Sequence, residues 1–290
     1  MSVSSKKKVK YLFDTTVYYH LFEYSEDFQQ FLDDKFINNG RTYTLNLVLL
    51  ELRIGLIKTF IEYYQMVERL RDAKKAHTIF RRRSGNFNRD YQKVTILTEN
   101  ILPSVDTVIN NGDINKYLAQ LEAAISNTAI KIRKLTGNVR GEFADHQLLK
   151  FDLLEASEYP DYIKVCEDMK FKLPFNEFFA SYPRELSELH DKLQNADRAE
   201  LSTKVLEYID TLCEKLETVV NEPSNALKKG TYSKMGDIAI MLNLWCLGMG
   251  KVTTISNDKS YRTVSKLLTK PHYDYSLELS KIVEEWEHKD

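Results

Sequence analysis

Four acidic residues, Asp14, Glu51, Asp237 and Asp258, stand in sequence that otherwise favours apolar or β-branched side chains. Asp14 ends the run YLFD, and Asp258 follows the run KVTTIS. Glu51 lies inside LNLVLLELRIGLI, where a carboxylate is expected to be partly buried and therefore costly unless paired or bound to a cation. Asp237 opens the apolar run GDIAIMLNLWCLG, a place where the dipole of a helix N-terminus would also stabilise it. Asn257-Asp258 equally suits a turn, because both side chains hydrogen-bond to nearby backbone. Brought together, the four would make an oxygen-rich pocket suited to Mg2+ or Mn2+.

Such a pocket needs elements that converge. Residues 9–13 read as a strand, and TTVYYHLFEY after them has helical spacing. TYTLN, then LVLLELRIGLIKTFIEYY, make a second strand-helix unit. GDIAIMLNLWCLGMG reads as a buried helix ended by Gly248 and Gly250, with KVTTIS as the strand after it. Asp14 and Asp258 then fall at the carboxyl ends of strands, where parallel α/β sheets bind ligands. Between these ends, INKYLAQLEAAISNTAIKIRKL and LSTKVLEYIDTLCEKLETVV repeat apolar positions every three to four residues, punctuated by Pro103, Pro160, Pro174 and Pro183. The expected organisation is a discontinuous α/β domain, residues 1–64 and 224–290, split by a helical insertion, residues 65–223.

Composition narrows the classes. The chain has 290 residues, 43% of them apolar, enough for a sizeable core. Lys and Arg total 41 against 42 Asp and Glu, so any attraction to nucleic acid must be local. Residues 69–93 are such a place: nine Lys or Arg, including Arg81, Arg82 and Arg83, face two Asp, with Phe80, Phe87 and Tyr91 interleaved. Cations and stacking aromatics suit single-stranded or looped RNA; a solvated helix with core-facing aromatics accounts for the same pattern. Three cysteines, Cys166, Cys213 and Cys246, without CxxC spacing fit reduced thiols in the cytoplasm. His77, His146 and His190 share no ligand spacing. The basic N-terminus leads into too few apolar residues for a signal peptide, and no apolar run is long enough for a membrane span. The C-terminal YSLELSKIVEEWEHKD reads as an amphipathic helix with an acidic face.

The motifs YLFDTTVYY, LVLLELRIGL, GDIAIMLNL and TTISNDKSY, in that order, resemble those of the PIN-domain nucleases, over residues 8–64 and 228–268. The resemblance implies a three-layer α/β/α PIN-like parallel sheet carrying a large all-helical insertion. It further implies a metal-dependent nuclease site of Asp14, Glu51, Asp237 and Asp258, with Thr15, Ser256 and Asn257 beside the acids at the substrate. RNA is the expected substrate, endoribonuclease action the expected chemistry, and a protein inhibitor or regulator a further expected partner. Two other classes stand beside it. A haloacid-dehalogenase-like phosphatase would need a second Asp two residues after the nucleophile, where Thr16 stands. The third is a non-catalytic PIN-like interaction scaffold.

Overall fold

β1 (Lys10–Phe13) carries Leu12 and Phe13 on opposite faces, and both are fully buried, as a strand covered on both sides requires. The computed structural model describes residues 10–21, 26–37, 42–84, 94, 113–135, 138–140, 151, 154–169, 175–227, 229–246, 252–268, 273–277 and 279–288. Within it, β1 is the centre of a parallel sheet. β2 (Thr42–Leu45) pairs on one side and β4 (Val252–Ile255) on the other. β3 (Asn138–Arg140) lies beyond β2, and β5 (Tyr273–Leu277) beyond β4, giving the order β3-β2-β1-β4-β5. The chain runs outward from β1 through β2 to β3, then crosses to β4 and runs out to β5 on the other side, so the strand order reverses between β1 and β4.

This corrects the expected fold class. The described residues are predominantly helical, and the strands are only three to five residues long, so the chain is not a three-layer α/β/α PIN-like sandwich with an all-helical insertion. It is a mainly helical protein around a small sheet. Two physical reasons account for the difference. Each β-branched run is short, while the apolar sequence around it keeps helical spacing for several turns. In addition, β3 comes from within residues 65–223, so that stretch gives the sheet a strand.

α1 (Thr15–Leu21) leaves β1 at once, and α2 (Glu26–Leu32) follows. α3 (Asn46–Leu52) begins directly after β2 and continues through a π-helical turn, Arg53–Ile57, into α4 (Lys58–Leu70). The rod therefore runs unbroken past residue 64. The π turn has partners that hold it: buried Arg53 donates through Nη1 to the Phe151 carbonyl at 2.6 Å, and the Tyr162 hydroxyl donates to the Arg53 carbonyl at 3.1 Å. α5 (Ala73–Ser84) and α6 (Ile114–Leu135) pack on α4, where the buried hydroxyls of Tyr63 and Tyr117 lie 3.0 Å apart. α7 (Tyr159–Met169) supplies Tyr162 and Cys166, whose thiol burial pushes up to about 12. Cys166 and Cys213 are both free and buried.

α8 (Phe175–Ala180) and α9 (Pro183–Gln194) lead into α10 (Thr203–Asn221). Val205, Ile209, Leu212, Leu216 and Val219 make its buried stripe, at the spacing of an amphipathic helix. α10 packs on α9, on α11 (Lys229–Cys246) and on α12 (Lys259–Leu267). That contact sets a helix from the middle of the chain against the two helices nearest the third and fourth acids. α13 (Leu279–Glu287) packs on α2, with Phe28 and Trp286 in an edge-on pair 5.2 Å apart. No helix among the described residues is long and apolar enough to cross a membrane.

Candidate functional site

Asp14 follows the last residue of β1, and its N–H donates to the Ile255 carbonyl at 3.0 Å, carrying the β1–β4 ladder one residue further. Its side chain is 8% exposed and takes three donors at 2.8 Å each: the Thr15 N–H on Oδ1, and the Thr16 and Ser256 hydroxyls on Oδ2. Burial nevertheless raises its pKa above the usual carboxylate range, the three donors oppose the rise, and the charge of Asp258 adds to it.

Glu51 comes in from α3, half-buried, with Oε2 accepting a hydrogen bond from the Thr15 hydroxyl. Burial drives its pKa up to about 8; the Thr15 bond works against this, and the charges of Asp14 and Asp237 work with it. Asp237 is also half-buried. Its Oδ2 accepts from the Tyr208 hydroxyl at 3.0 Å and from the Lys234 ammonium at 3.5 Å. Burial is again the main cause of its raised pKa, with Asp14 and Asp258 reinforcing it and Lys234 and Tyr208 opposing it.

Asp14 thus feels the charge of Asp258, Glu51 the charges of Asp14 and Asp237, and Asp237 those of Asp14 and Asp258, which gathers the four acids near the carboxyl ends of β1 and β4. Two local readings change. Asp237 does not open a helix: α11 starts at Lys229, so Asp237 sits in its interior, beyond the reach of the N-terminal dipole. Asp258 does have a local task, because its Oδ1 accepts from the Tyr261 N–H at 3.0 Å as the N-cap of α12.

The small polar residues are engaged with the acids themselves. Thr15 bridges Asp14 and Glu51 by its backbone and hydroxyl. Ser256, fully buried, donates to Asp14 and accepts from the Asp258 N–H at 3.0 Å. The Asn257 N–H donates to Thr16 Oγ1 at 3.2 Å. Arg82 is exposed on α5, whose helix also includes Arg81 and Arg83; α5 packs along α4, and no hydrogen bond or ion pair among the described residues joins it to the acids. Gly85, Phe87, Tyr91 and His146 lie outside the described residues.

Tyr208, Lys234 and Gly236 join the site without a sequence reading of their own, and Thr16, read only as the residue in place of a phosphatase's second Asp, joins it through Asp14. Lys234, one turn before Asp237 on α11, had a spacing signal; Tyr208, in the helical pattern of α10, had none. Among the described residues, no three His, Cys, Asp or Glu side chains stand as a ready ligand set. The donor chemistry still fits a hard divalent ion: the groups are carboxylate oxygens, and the burial, with the smaller neighbouring charges, that raises their pKa values is what such an ion would offset. A separate groove of about 660 Å³, lined by Asp27, Phe31, Lys35 and Trp286 among others, shares no residue with the acids. Set against family models, curated proteins and solved structures, the chain matches none.

Gly236 lets α11 approach Glu51: a Cβ at this position would collide with Glu51 Oε1. In a helix interior Gly costs about 0.5–1 kcal/mol relative to Ala, so its presence calls for a packing reason. Gly236→Ala is expected to change stability by less than about 1 kcal/mol, because the helix gain offsets the disturbed Thr15–Glu51 bond of similar worth. If the site has the activity proposed below, cleavage falls at least tenfold as the Glu51 carboxylate is pushed aside. Thermal melting and cleavage rates on the same protein check the divergence; a variant that cleaves as fast as the parent removes Glu51's position from the chemistry.

Proposed function

We propose that the chain is a metal-dependent nuclease that hydrolyses phosphodiester bonds in RNA, as an endoribonuclease. The observation that carries this reading is the convergence of Asp14, Glu51, Asp237 and Asp258 where the strand order reverses, with Glu51 in no ion pair among the described residues and Asp237 in one alone, with Lys234 at 3.5 Å. The ordered motifs that resemble the PIN-domain nucleases support it from the sequence side.

Asp14 and Asp258 would be the principal holders of Mg2+ or Mn2+, with Asp237 beside them. A divalent ion supplies a water of lowered pKa and offsets charge developing on the phosphate. The chain's own groups do the rest. Thr15, Thr16 and Ser256 fix the Asp14 carboxylate by three hydrogen bonds, so its orientation is set before any ligand arrives. Glu51, held by the Thr15 hydroxyl, would stand beside the ion and orient an attacking water. Arg81, Arg82 and Arg83, in the sequence of α5, would offer cations to the nucleic-acid backbone. The helical stretch between α4 and α11 is where substrate selection or a regulatory protein would act.

Phosphatase chemistry fits less well, because Thr16 donates its hydroxyl to Asp14 Oδ2 where a general acid would be required. The deciding experiment is cleavage of single-stranded, hairpin and transfer RNAs and of DNA, with Mn2+ or Mg2+ and with EDTA. Internal cuts in RNA that require the metal are expected. Release of phosphate from small monoesters without phosphodiester cleavage would favour the phosphatase class, and no cleavage of any substrate would favour a scaffold.

A further inference from the structure

The sequence of α5, AKKAHTIFRRRS, holds no acidic residue. Its apolar face is committed: Ala73, Ala76 and Phe80 are buried where α5 packs on α4. There Phe80 and His77 both meet the Tyr63 ring edge-on, at 5.7 and 6.3 Å between centres. At about 3.6 residues per turn, Lys74, Lys75, Thr78 and Arg82 fall on the opposite face, and all four are exposed. The Thr78 hydroxyl is spent on the Lys74 carbonyl at 2.8 Å, so the face offers three cations. Exposed Arg71 precedes them and donates to Asn115, the chain neighbour of exposed Lys116 at the start of α6. Among the described residues Lys74, Lys75, Arg82 and Lys116 enter no salt bridge, whereas Lys58, Lys215 and Arg198 do. The acids between them have local tasks. Asp72 accepts the Lys75 N–H at 2.8 Å, and Asp113 accepts those of Asn115 and Lys116 at 3.1 Å each. Arg71 also holds a left-handed backbone, φ 51°, at the C-cap of α4, a place that glycine takes without strain.

We propose that this face of α5, with Arg71 and Lys116 beside it, docks the phosphodiester backbone of nucleic acid and grips phosphates without reading bases. The inference rests on the proposed nuclease reading and deepens it, because it gives the substrate a holding surface apart from the acids. The three cations of α5 span about 12 Å at about 1.5 Å per residue, which matches three to four phosphates of a stacked strand at roughly 3.4 Å each. An acidic protein partner would want apolar anchors as well, and those of α5 are turned inward. The same burial withdraws Phe80 from stacking on a base, so the face carries charge without base recognition. Because Phe80 lies beside Tyr63, α5 runs back along α4, and its Arg82 end is the one nearer α3, which carries Glu51.

The test is fluorescence anisotropy of labelled oligo(U), oligo(A) and oligo(dT) in EDTA, which reads binding apart from cleavage, across a series of KCl concentrations. The parent is expected to bind all three within about threefold of one another. Lys74→Gln/Lys75→Gln/Arg82→Gln should weaken each by about tenfold or more at low salt. The slope of log affinity against log salt should become shallower by about 2, at about 0.7 for each lost phosphate contact. Lys204→Gln/Lys266→Gln/Lys281→Gln removes the same charge from three exposed positions on other helices and should change binding by less than about threefold. Arg71→Gly should melt no lower than the parent and still bind more weakly, and circular dichroism establishes that every variant is folded. Equal losses in the two triple variants would reduce the effect to net charge and overturn the inference, as would a strong preference for one base. Unchanged binding by the α5 variant, with metal-dependent cleavage of RNA intact in the parent, would overturn this inference alone. Loss of binding in that variant, with no cleavage by the parent under any condition, would uphold the docking face and remove the nuclease. No nucleic acid bound by the parent, with polyglutamate held through the same residues, would make this a surface for an acidic protein and overturn the inference.

Discussion

Replacing Asp14 with Asn is expected to lower metal-dependent RNA cleavage by about a thousandfold, equivalent to about 4 kcal/mol of barrier, while leaving the protein folded. The amide matches the carboxylate in shape, and its remaining oxygen still accepts the Thr15 N–H that now reaches Oδ1 at 2.8 Å. The nitrogen that takes the place of Oδ2 is a donor, but its two neighbours there are hydroxyls, Thr16 and Ser256, which rotate to accept. The charge itself is what disappears. Because burial raises the Asp14 pKa, its ionised form opposes folding at neutral pH, and loss of that charge does not weaken the metal-free fold. The variant should therefore melt no lower than the parent in EDTA yet lose most of the stabilisation that Mn2+ gives the parent. Parent-like cleavage by Asp14→Asn would end the assignment of Asp14 to the chemistry.

Of the acids, Glu51 stood out in the sequence because it broke the pattern around it, whereas Asp237 and Asp258 also had ordinary local readings, as a helix opener and a turn residue. A carboxylate inside LNLVLLELRIGLI conflicts with every neighbour, and such conflicts mark sites more often than they mark surfaces. β1, β2 and β4 likewise followed from compact β-branched or aromatic runs, and they deliver Asp14 and the Ser256–Asp258 turn. What could not be read locally is what depends on distant partners. β3 is only Asn138–Arg140, and its place beside β2 is set by pairing with residues far away in the chain. Tyr208 reads as one more core position of α10, and nothing near it announces that its hydroxyl meets Asp237. The start of α11 was placed too late because Gly230, Thr231 and Ser233 are poor helix formers; packing against α10 overrides their preference and buries Asp237 in a helix interior. The fold class failed for a related reason: strand runs signal that a sheet exists, whereas the balance of layers depends on how much helix packs around it.

Without metal, the protein is expected to lose stability as the pH rises from about 5 to about 8, and Glu51→Gln to remove most of that loss. Glu51 titrates from 4.5 in an unperturbed chain and at about 8 in the folded one. Between those values the folded chain keeps a proton that the unfolded chain has released, so the unfolded state binds fewer protons and stability falls with pH. The contribution of the protonated carboxyl is fully present below the lower value and gone above the upper one. Over that window it amounts to something on the order of 4 kcal/mol, and the raised Asp14 and Asp237 carboxyls add a slope of the same sign. A Gln at position 51 keeps an oxygen to accept the Thr15 hydroxyl and never ionises, so its unfolding free energy should stay nearly level to pH 8 apart from the Asp contributions. Mn2+ should restore the parent at pH 8 far more than the variant, because the ion replaces the proton as the partner of the Glu51 charge. Urea unfolding in EDTA at pH 5, 6.5 and 8, repeated with Mn2+, reads all of this from one set of curves. If the parent's slope is no steeper than that of Glu51→Gln, Glu51 is already ionised in the folded chain across the range. Its role would then be that of a fixed negative charge rather than a group that exchanges a proton.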